Sequence, residues 1–155
     1  MAIFDLLRRL RSKSGVRGQC LVELFDEHGR LKERRLVKNL IVNNGKYAIT
    51  EQLLDSPSIA KPSHMGIGTG TTAPAATDTA LGTEVGTRVS VTKSRSNNVL
   101  TLSATFGAGN GTGAITEAGI FNAATAGTMY SRITFAAINK GSNDSLTLTW
   151  TWTIG

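Results

Sequence analysis

The residues most suggestive of chemistry are three glycines that alternate at Gly66, Gly68 and Gly70, because phosphate-binding loops often begin in this way. A Walker-type loop needs Gly-Lys-Ser/Thr followed by a helix, so that backbone N–H groups and a lysine converge on the phosphates. Here Thr71 follows the last glycine, and the next lysine is Lys93. A dinucleotide fingerprint would place its third glycine one residue later and would enter a helix. We therefore predict that the glycines let a strand pass close to a neighbour and that no nucleotide or other cofactor binds.

The candidates for nucleophilic catalysis are two histidines and one cysteine. His28 lies in the short polar segment of a predicted hairpin, where a solvated side chain is expected. His64 directly follows Ser63, and adjacency alone is not expected to supply the geometry of a nucleophile and its base. Cys20 lies in an apolar run without a neighbouring base, which indicates a buried structural thiol. These residues predict no catalytic site, and the chain is not expected to be an enzyme.

Acidic residues in turns are the candidates for metal binding. Asp26, Glu27 and His28 are adjacent, and three neighbouring residues in a turn seldom converge on one ion. Asn143 and Asp144 have oxygen ligands that suit calcium, but Asn and Asp more commonly form turns. The sequence therefore predicts no metal site.

The clearest structural pattern is the run SLTLTWTWTI at residues 145–154, in which apolar residues and threonines alternate strictly. This period of two predicts a strand with one buried face. Trp150 and Trp152 share the apolar face, so we expect them in the core rather than in a sugar-binding platform. Further strands are predicted from shorter runs of the same kind at 89–92, 100–106, 115–121 and 128–138. The chain from 64 to 155 thus predicts a mainly β protein, an antiparallel β-sandwich or a jelly-roll-like barrel.

Residues 16–63 are predicted to add a hairpin and a short helix to the same domain, which would span 16–155. Two apolar-rich runs flank a polar segment with Gly29, which predicts a hairpin over 19–42 with its basic second strand at a sheet edge. A helix is predicted over about 44–54, capped near Asn43 or Asn44 and closed by Pro57. Its buried side is expected to consist of Ala48, Ile49, Leu53 and Leu54. The segment 94–98 is expected to be a polar loop.

The formal net charge of +6 is concentrated at the amino end, where residues 1–38 carry +5. A body of nearly zero net charge argues against a surface that follows a nucleic-acid backbone, and no specific nucleic-acid partner is expected. No apolar run reaches the length of about 18 residues needed for a membrane span, and no signal-peptide pattern is present, so no membrane partner is expected.

Residues 1–15 form a predicted basic amphipathic arm. Apolar residues recur there at helical spacing and basic residues occupy the rest of the turn. A helix of this length needs a surface on which to dock. That surface could be its own domain, a neighbouring subunit or another protein of an assembly, and contact with a membrane surface or a nucleic acid is a further alternative. The predicted contact residues are Ile3, Phe4, Leu6, Leu7, Arg8, Arg9 and Arg11.

Five phrases of the sequence together resemble a group of small structural proteins of tailed bacteriophages, over about residues 36–155. The phrases are VKNLIVNNGKYAITEQLL, MGIGTGTTAPAATDTALGTEVGTR, LSATFGAGNGTGAITEAGIFNA, GTMYSRITF and INKGSNDSLTLTWTWTI. The resemblance implies an all-β virion component without an enzymatic task. It further implies a homotrimeric head decoration (cement) protein that binds the major capsid protein or neighbouring virion proteins. A tail-fibre, collar or baseplate component is the main alternative, and a carbohydrate-binding module using loops 70–80 and 107–114 is another.

Overall fold

A computed structural model describes residues 15–155. Ten strands form two antiparallel sheets that pack as a sandwich, and one helix follows the third strand. The strand order is β2-β1-β10-β7-β6 in sheet A and β3-β9-β8-β4-β5 in sheet B. The elements are β1 Val16–Phe25, β2 Leu31–Lys38, β3 Leu40–Ile41, α1 Asn43–Glu51, β4 His64–Gly68, β5 Glu84–Ser90, β6 Thr92–Ser96, β7 Val99–Phe106, β8 Gly113–Phe121, β9 Met129–Lys140 and β10 Ser145–Ile154. The predicted sandwich is confirmed, and the barrel alternative is replaced by two separate sheets.

The core lies between the two sheets and follows the alternation of the strands. In β10 the four apolar side chains from Leu146 to Trp152 are buried, whereas the intervening threonines lie on the outer face of sheet A. The prediction that Trp150 and Trp152 belong to the core is therefore confirmed. Trp152 stacks on Tyr130 of sheet B with ring centroids 6.0 Å apart. Full burial of such side chains contributes about 1.5–3 kcal/mol each, so this alternation makes a large contribution to stability.

The second strand of the hairpin predicted over 19–42 would run from residue 31 to residue 42, but this run is in fact two strands that belong to different sheets. It divides at Asn39, whose N–H donates to the carbonyl of Gly18 at 3.0 Å. The Asn39 side chain lies directly over Gly18, where any Cβ atom would collide with it. The chain thereby leaves sheet A after β2 and enters sheet B as β3. The hairpin is formed by β1 and β2, and β2 is an edge strand as expected.

The helix is shorter than predicted, because α1 ends at Glu51. Its N-cap is Val42, without a side-chain cap, so the predicted asparagine cap is wrong. Leu53 and Leu54 are 86% and 60% exposed, which corrects the prediction that they are buried. The reason is the Glu51 carboxylate, which accepts hydrogen bonds from the N–H groups of residues 58 and 59 and folds the chain back. Ile59, rather than either leucine, then packs against the core.

The predicted polar loop at 94–98 is also wrong, because residues 94–96 belong to edge strand β6. All five side chains of β6 are exposed, so the strand has no apolar alternation that would reveal it. It is held by ladder pairing with β7 through a two-residue turn at Asn97 and Asn98. Asn97 has φ of +49°, a conformation that asparagine tolerates better than most residues and that such hairpin turns require.

The face of sheet B that points away from sheet A is covered by the segment 69–83. Leu81 of this segment packs in a second, small apolar cluster. The other members of the cluster are Val42, Phe121 and Met129. Next to this cluster the same segment closes over a group of buried charges, and these positions include the glycines that the sequence singles out. Within residues 15–155, no helix has the length and apolar character required to cross a bilayer.

Candidate functional site

Two of the alternating glycines, Gly66 and Gly68, leave most of the outer face of β4 without side chains. Gly66 pairs with Gly119 of β8, and Gly68 pairs with Glu117. The side chain of Glu117 fills the space above Gly68 and Gly70 and is completely buried. A Cβ atom on Gly68 or on Gly70 would lie 2.5 Å from Glu117 Oε1. The glycines therefore permit a close approach, as predicted, and the group that approaches is a carboxylate of the same chain.

The Glu117 carboxylate accepts three hydrogen bonds from backbone N–H groups of the covering segment. Gly70 and Thr83 donate to Oε1 at 2.9 and 2.8 Å, and Gly82 donates to Oε2 at 2.9 Å. Arg132 on β9 adds two further bonds to Oε2, from Nε at 3.0 Å and from Nη2 at 2.8 Å. This arrangement of converging N–H groups and a guanidinium is one that proteins use to bind anions.

Arg132 connects the carboxylate to the rest of the covering segment. It is 2% exposed, and it also donates to Asp78 Oδ2 at 2.8 Å and to the carbonyl of Thr72 at 3.0 Å. Thr116 Oγ1 donates to the carbonyl of Gly70 at 2.8 Å. The segment is thus fixed to sheet B at several points, and we call Glu117, Arg132 and Asp78 the charge clamp.

The charges of the clamp stabilise each other. Burial alone raises the pKa of Glu117, but hydrogen bonds from Thr83, Gly82, Arg132 and Gly70 outweigh it and hold this pKa below its ordinary value. For Arg132, burial lowers the pKa, and the hydrogen bonds and charges of Glu117 and Asp78 outweigh burial and raise it. Both groups are therefore ionised at neutral pH. The site resembles an anion-binding cradle, but its anion is Glu117.

Sequence reasoning did not find the charge clamp, although the sequence contains a signal for it. Glu117 and Arg132 are each the single charged residue within an otherwise uncharged strand segment, AITEAGIF and MYSRITF respectively. A charge at such a position is expensive unless it is paired. What the sequence could not show is that these two strands are neighbours and that the glycine segment crosses over them.

The acidic turn at 26–28 stabilises a hairpin. Asp26 Oδ1 accepts from the N–H groups of His28 and Arg30, both at 2.9 Å, and Oδ2 accepts from Arg30 Nε at 2.7 Å. The backbone bond from Arg30 is the largest of the effects that lower the pKa of Asp26 to about 2. The His28 side chain is exposed, as expected. In the part of the chain that the structure describes, no group of three or more His, Cys, Asp or Glu side chains could hold a metal ion.

Asp144 likewise stabilises a turn. Its Oδ2 accepts from the N–H of Gly141 at 2.8 Å and from Lys32 Nζ at 2.7 Å, and these bonds lower the pKa of Asp144. Nearby, Lys140 is 1% exposed and donates from Nζ to the carbonyl of Gly107 at 2.9 Å. These contacts connect the β9–β10 turn to β2 and to the glycine-rich loop, so their role is structural.

His64 contacts two serines, which corrects the expectation that adjacency provides no such geometry. Its Nδ1 lies 2.8 Å from Ser63 Oγ, and its Nε2 lies 3.3 Å from Ser90 Oγ. A catalytic serine and histidine are usually accompanied by a carboxylate that orients the imidazole and stabilises its cation. Among residues 15–155 no carboxylate is bonded to His64, so this pair lacks that third group. Cys20 is fully buried as predicted, and burial raises the pKa of its thiol.

A pocket of about 330 Å³ opens at one end of the sandwich. We call it the end pocket. It lies between sheet A and the segment 52–63, which follows α1. Its floor is apolar and consists of Val16, Ile49, Leu100, Tyr130, Trp152 and Ile154. Lys61, Lys93 and Arg95 also line it, and sequence reasoning did not single out any of these residues.

The predicted contact residues of the arm, Ile3, Phe4, Leu6, Leu7, Arg8, Arg9 and Arg11, lie outside the described residues. The described chain begins at Gly15, which exchanges backbone hydrogen bonds with Gly155, and Val16 lies at the end pocket. Gly15 and Val16 therefore both lie at that end of the sandwich.

No protein-family model matches the chain, and no curated protein and no solved structure shows significant similarity to it.

Proposed function

We propose that the chain is a structural protein of a tailed-bacteriophage virion, specifically a head decoration protein that binds the shell as a trimer and stabilises it. The observation that carries this proposal is the charge clamp. The most ligand-like cradle in the described chain is filled by the chain's own Glu117, and it fastens a long surface segment to sheet B. A cradle that is permanently filled in this way makes the domain rigid, as a structural protein requires, and leaves no room in it for a ligand that binds and leaves.

The remaining charges support the same proposal. The four charged residues classed as buried among residues 15–155 all have hydrogen-bond partners within the chain. They are Glu117, Arg132, Lys140 and Asp144. The loops considered for sugar binding, 70–80 and 107–114, contain no aromatic residue, and the two tryptophans lie in the core. The resemblance of the sequence to phage structural proteins supports a virion as the place where this rigid domain acts.

The arm is proposed to attach this domain to the shell. Three arms of a trimer bind together, so that modest contacts gain strength through multivalency. Residues 1–14 carry a net charge of +3, and their partner is expected to be an acidic and partly apolar surface. Deletion of residues 1–14 should leave the β domain folded and should weaken its binding to undecorated particles. Equal binding by the truncated and the intact protein would refute this role.

Copy number tests the proposal as a whole. Quantitative mass spectrometry of purified particles should find this chain in numbers comparable to the shell protein. A few copies per particle would identify a tail-fibre, collar or baseplate component instead. Absence from purified particles would refute a virion role of either kind.

A further inference from the structure

The end pocket has a preformed wall, because the segment 52–63 is fastened to the rest of the domain. Gln52 Nε2 donates to the carbonyl of Ile59 at 2.7 Å. Tyr130 Oη donates to the carbonyl of Ala60 at 2.8 Å, and burial raises the pKa of this hydroxyl to about 12. Lys93 Nζ donates to the carbonyl of Pro62 at 2.9 Å. These bonds hold the wall in place, so a ligand would not have to bear the cost of ordering it.

The pocket combines an apolar floor with a cationic rim. Its volume of about 330 Å³ is at the lower end of the range for small-ligand sites, so it has room for one large side chain. Among its floor residues, Ile154 is 61% exposed although it is large and apolar. An exposed apolar surface with a polar rim is typical of interaction sites.

The rim cations have unused hydrogen-bonding capacity. Lys93 uses one of its three N–H donors on Pro62, and Arg95 uses one of five on the carbonyl of Asn97, at 2.6 Å. Within residues 15–155 no Asp or Glu lines the pocket, and neither these two residues nor Lys61 forms a salt bridge. The rim therefore presents positive charge that the described domain does not neutralise.

We propose that the end pocket binds an acidic segment of a neighbouring protein. One large apolar side chain of that segment enters the pocket, and carboxylates beside it contact Lys61, Lys93 and Arg95. The argument for this occupant is charge complementarity, which also disfavours the chain's own arm, since residues 1–14 carry a net charge of +3. The inference rests on the proposed function only in taking the occupant from a neighbouring virion protein.

The test uses three synthetic peptides with the full-length protein. The acidic probe is acetyl-Glu-Asp-Phe-Asp-Glu-amide. In one control peptide lysine replaces each acidic residue, and in the other alanine replaces the phenylalanine. Binding is followed by two-dimensional NMR, and the amide signals of Leu100, Asn98 and Ile154 report on the pocket. The acidic probe should shift these signals, and each control peptide should bind at least tenfold more weakly.

Variants of the rim supply the second arm of the test. The double variant Lys61→Gln/Arg95→Gln changes two exposed rim residues and keeps the bond from Lys93 to the wall, so it should fold normally. Its affinity for the acidic probe should fall by about three- to tenfold, which is the range expected for two exposed charge pairs. The matched control is Arg34→Gln/Lys38→Gln, which removes the same charge from β2 at the opposite edge of sheet A. This control variant should bind the probe as the wild type does.

Three results would overturn the proposal. They are equal binding of the acidic and the lysine peptides, an absence of shifts at the pocket signals, and equal loss of affinity in the rim and control variants. Deletion of residues 1–14 gives a fourth result: a large gain in probe affinity would identify the arm as the occupant and would also overturn it. These measurements need no particle. Failure of peptide binding therefore leaves the copy-number test untouched, and absence from particles leaves the peptide result standing.

Discussion

Replacement of Glu117 by glutamine is the most informative perturbation of the charge clamp, because it preserves the shape of the side chain and removes its charge. In the native protein both carboxylate oxygens are surrounded by donors, three from the backbone and two from Arg132. An amide has only one acceptor oxygen, so its NH₂ group would face donors on either side. The buried guanidinium of Arg132 would keep only Asp78 as a charged partner.

The expected cost of Glu117→Gln is large. Removing one partner of a buried, hydrogen-bonded ion pair destabilises a protein by about 3–5 kcal/mol, since it leaves an uncompensated charge. For a domain of this size, 1 kcal/mol corresponds to a shift in Tm of about 2–4 °C. We therefore expect Tm to fall by about 6–20 °C. The matched control is Glu23→Gln, because Glu23 pairs with Arg34, whose side chain is 58% exposed, and this change should cost at most about 1 kcal/mol.

The assays are thermal unfolding, which gives Tm, and urea unfolding, which gives the free energy of unfolding. Both are applied to the wild type and the two variants, and urea unfolding is repeated between neutral and acidic pH. The pKa of Glu117 is lower in the folded protein than in the unfolded chain. Its contribution to stability is therefore complete above the unfolded pKa of about 4.3 and is lost as the pH falls through the folded pKa. The difference between wild type and Glu117→Gln should accordingly shrink at acidic pH. A neutral-pH difference no larger than that of the Glu23 control would refute the role assigned to the clamp.

Two further predictions concern a close approach and a buried thiol. In Gly68→Ala the methyl group would collide with the Thr83 carbonyl and lie 2.5 Å from Glu117 Oε1, so we expect a loss of about 1–3 kcal/mol in urea unfolding. Gly107→Ala, whose methyl group meets open space, should change stability by less than about 0.5 kcal/mol, and equal costs would contradict the reasoning. Cys20 should resist iodoacetamide in the native protein at neutral pH and react after unfolding in urea, because its thiol is buried and its pKa is raised. Rapid labelling of the folded protein would show that this strand opens.

The strands that the sequence predicted contain either an apolar alternation, as in β10, or a largely apolar run, as in β8. β10 alternates apolar residues with threonine, and its core tryptophans followed from that pattern alone. β6 was missed because all of its side chains are exposed and no apolar alternation marks it. Hydrogen bonding to β7 and the turn at Asn97 hold this strand in place instead. The division of the 31–42 run at Asn39 was missed for another reason. It depends on contact with Gly18, which is distant in sequence from the break.

The charge clamp shows the same limit at the level of a site. The glycine pattern correctly indicated a close approach of backbone, and its lack of a following lysine argued against a phosphate loop. The identity of the approaching group depends on β8 lying beside β4 and on Arg132 reaching across from β9. The order of the strands in sheet B determines which strands are neighbours, and this order cannot be read from local sequence patterns. Helix α1 gives a local example of the same limit. The Glu51 carboxylate binds backbone N–H groups after the helix, so the helix ends before Leu53 and Leu54, which the apolar pattern had placed on its buried side.

The pairing of β1 with β10 has a consequence for how the protein is made. Val16 lies opposite Ile154, so the middle of sheet A joins the first and last strands of the described chain. During translation β1 and β2 are synthesised before β10, so β1 lacks its partner strand β10 until that strand has been synthesised. Such distant pairing also slows folding, because most of the chain must be looped before it forms. Loss of residues 146–155 would therefore remove the strand that joins β1 to β7 in sheet A.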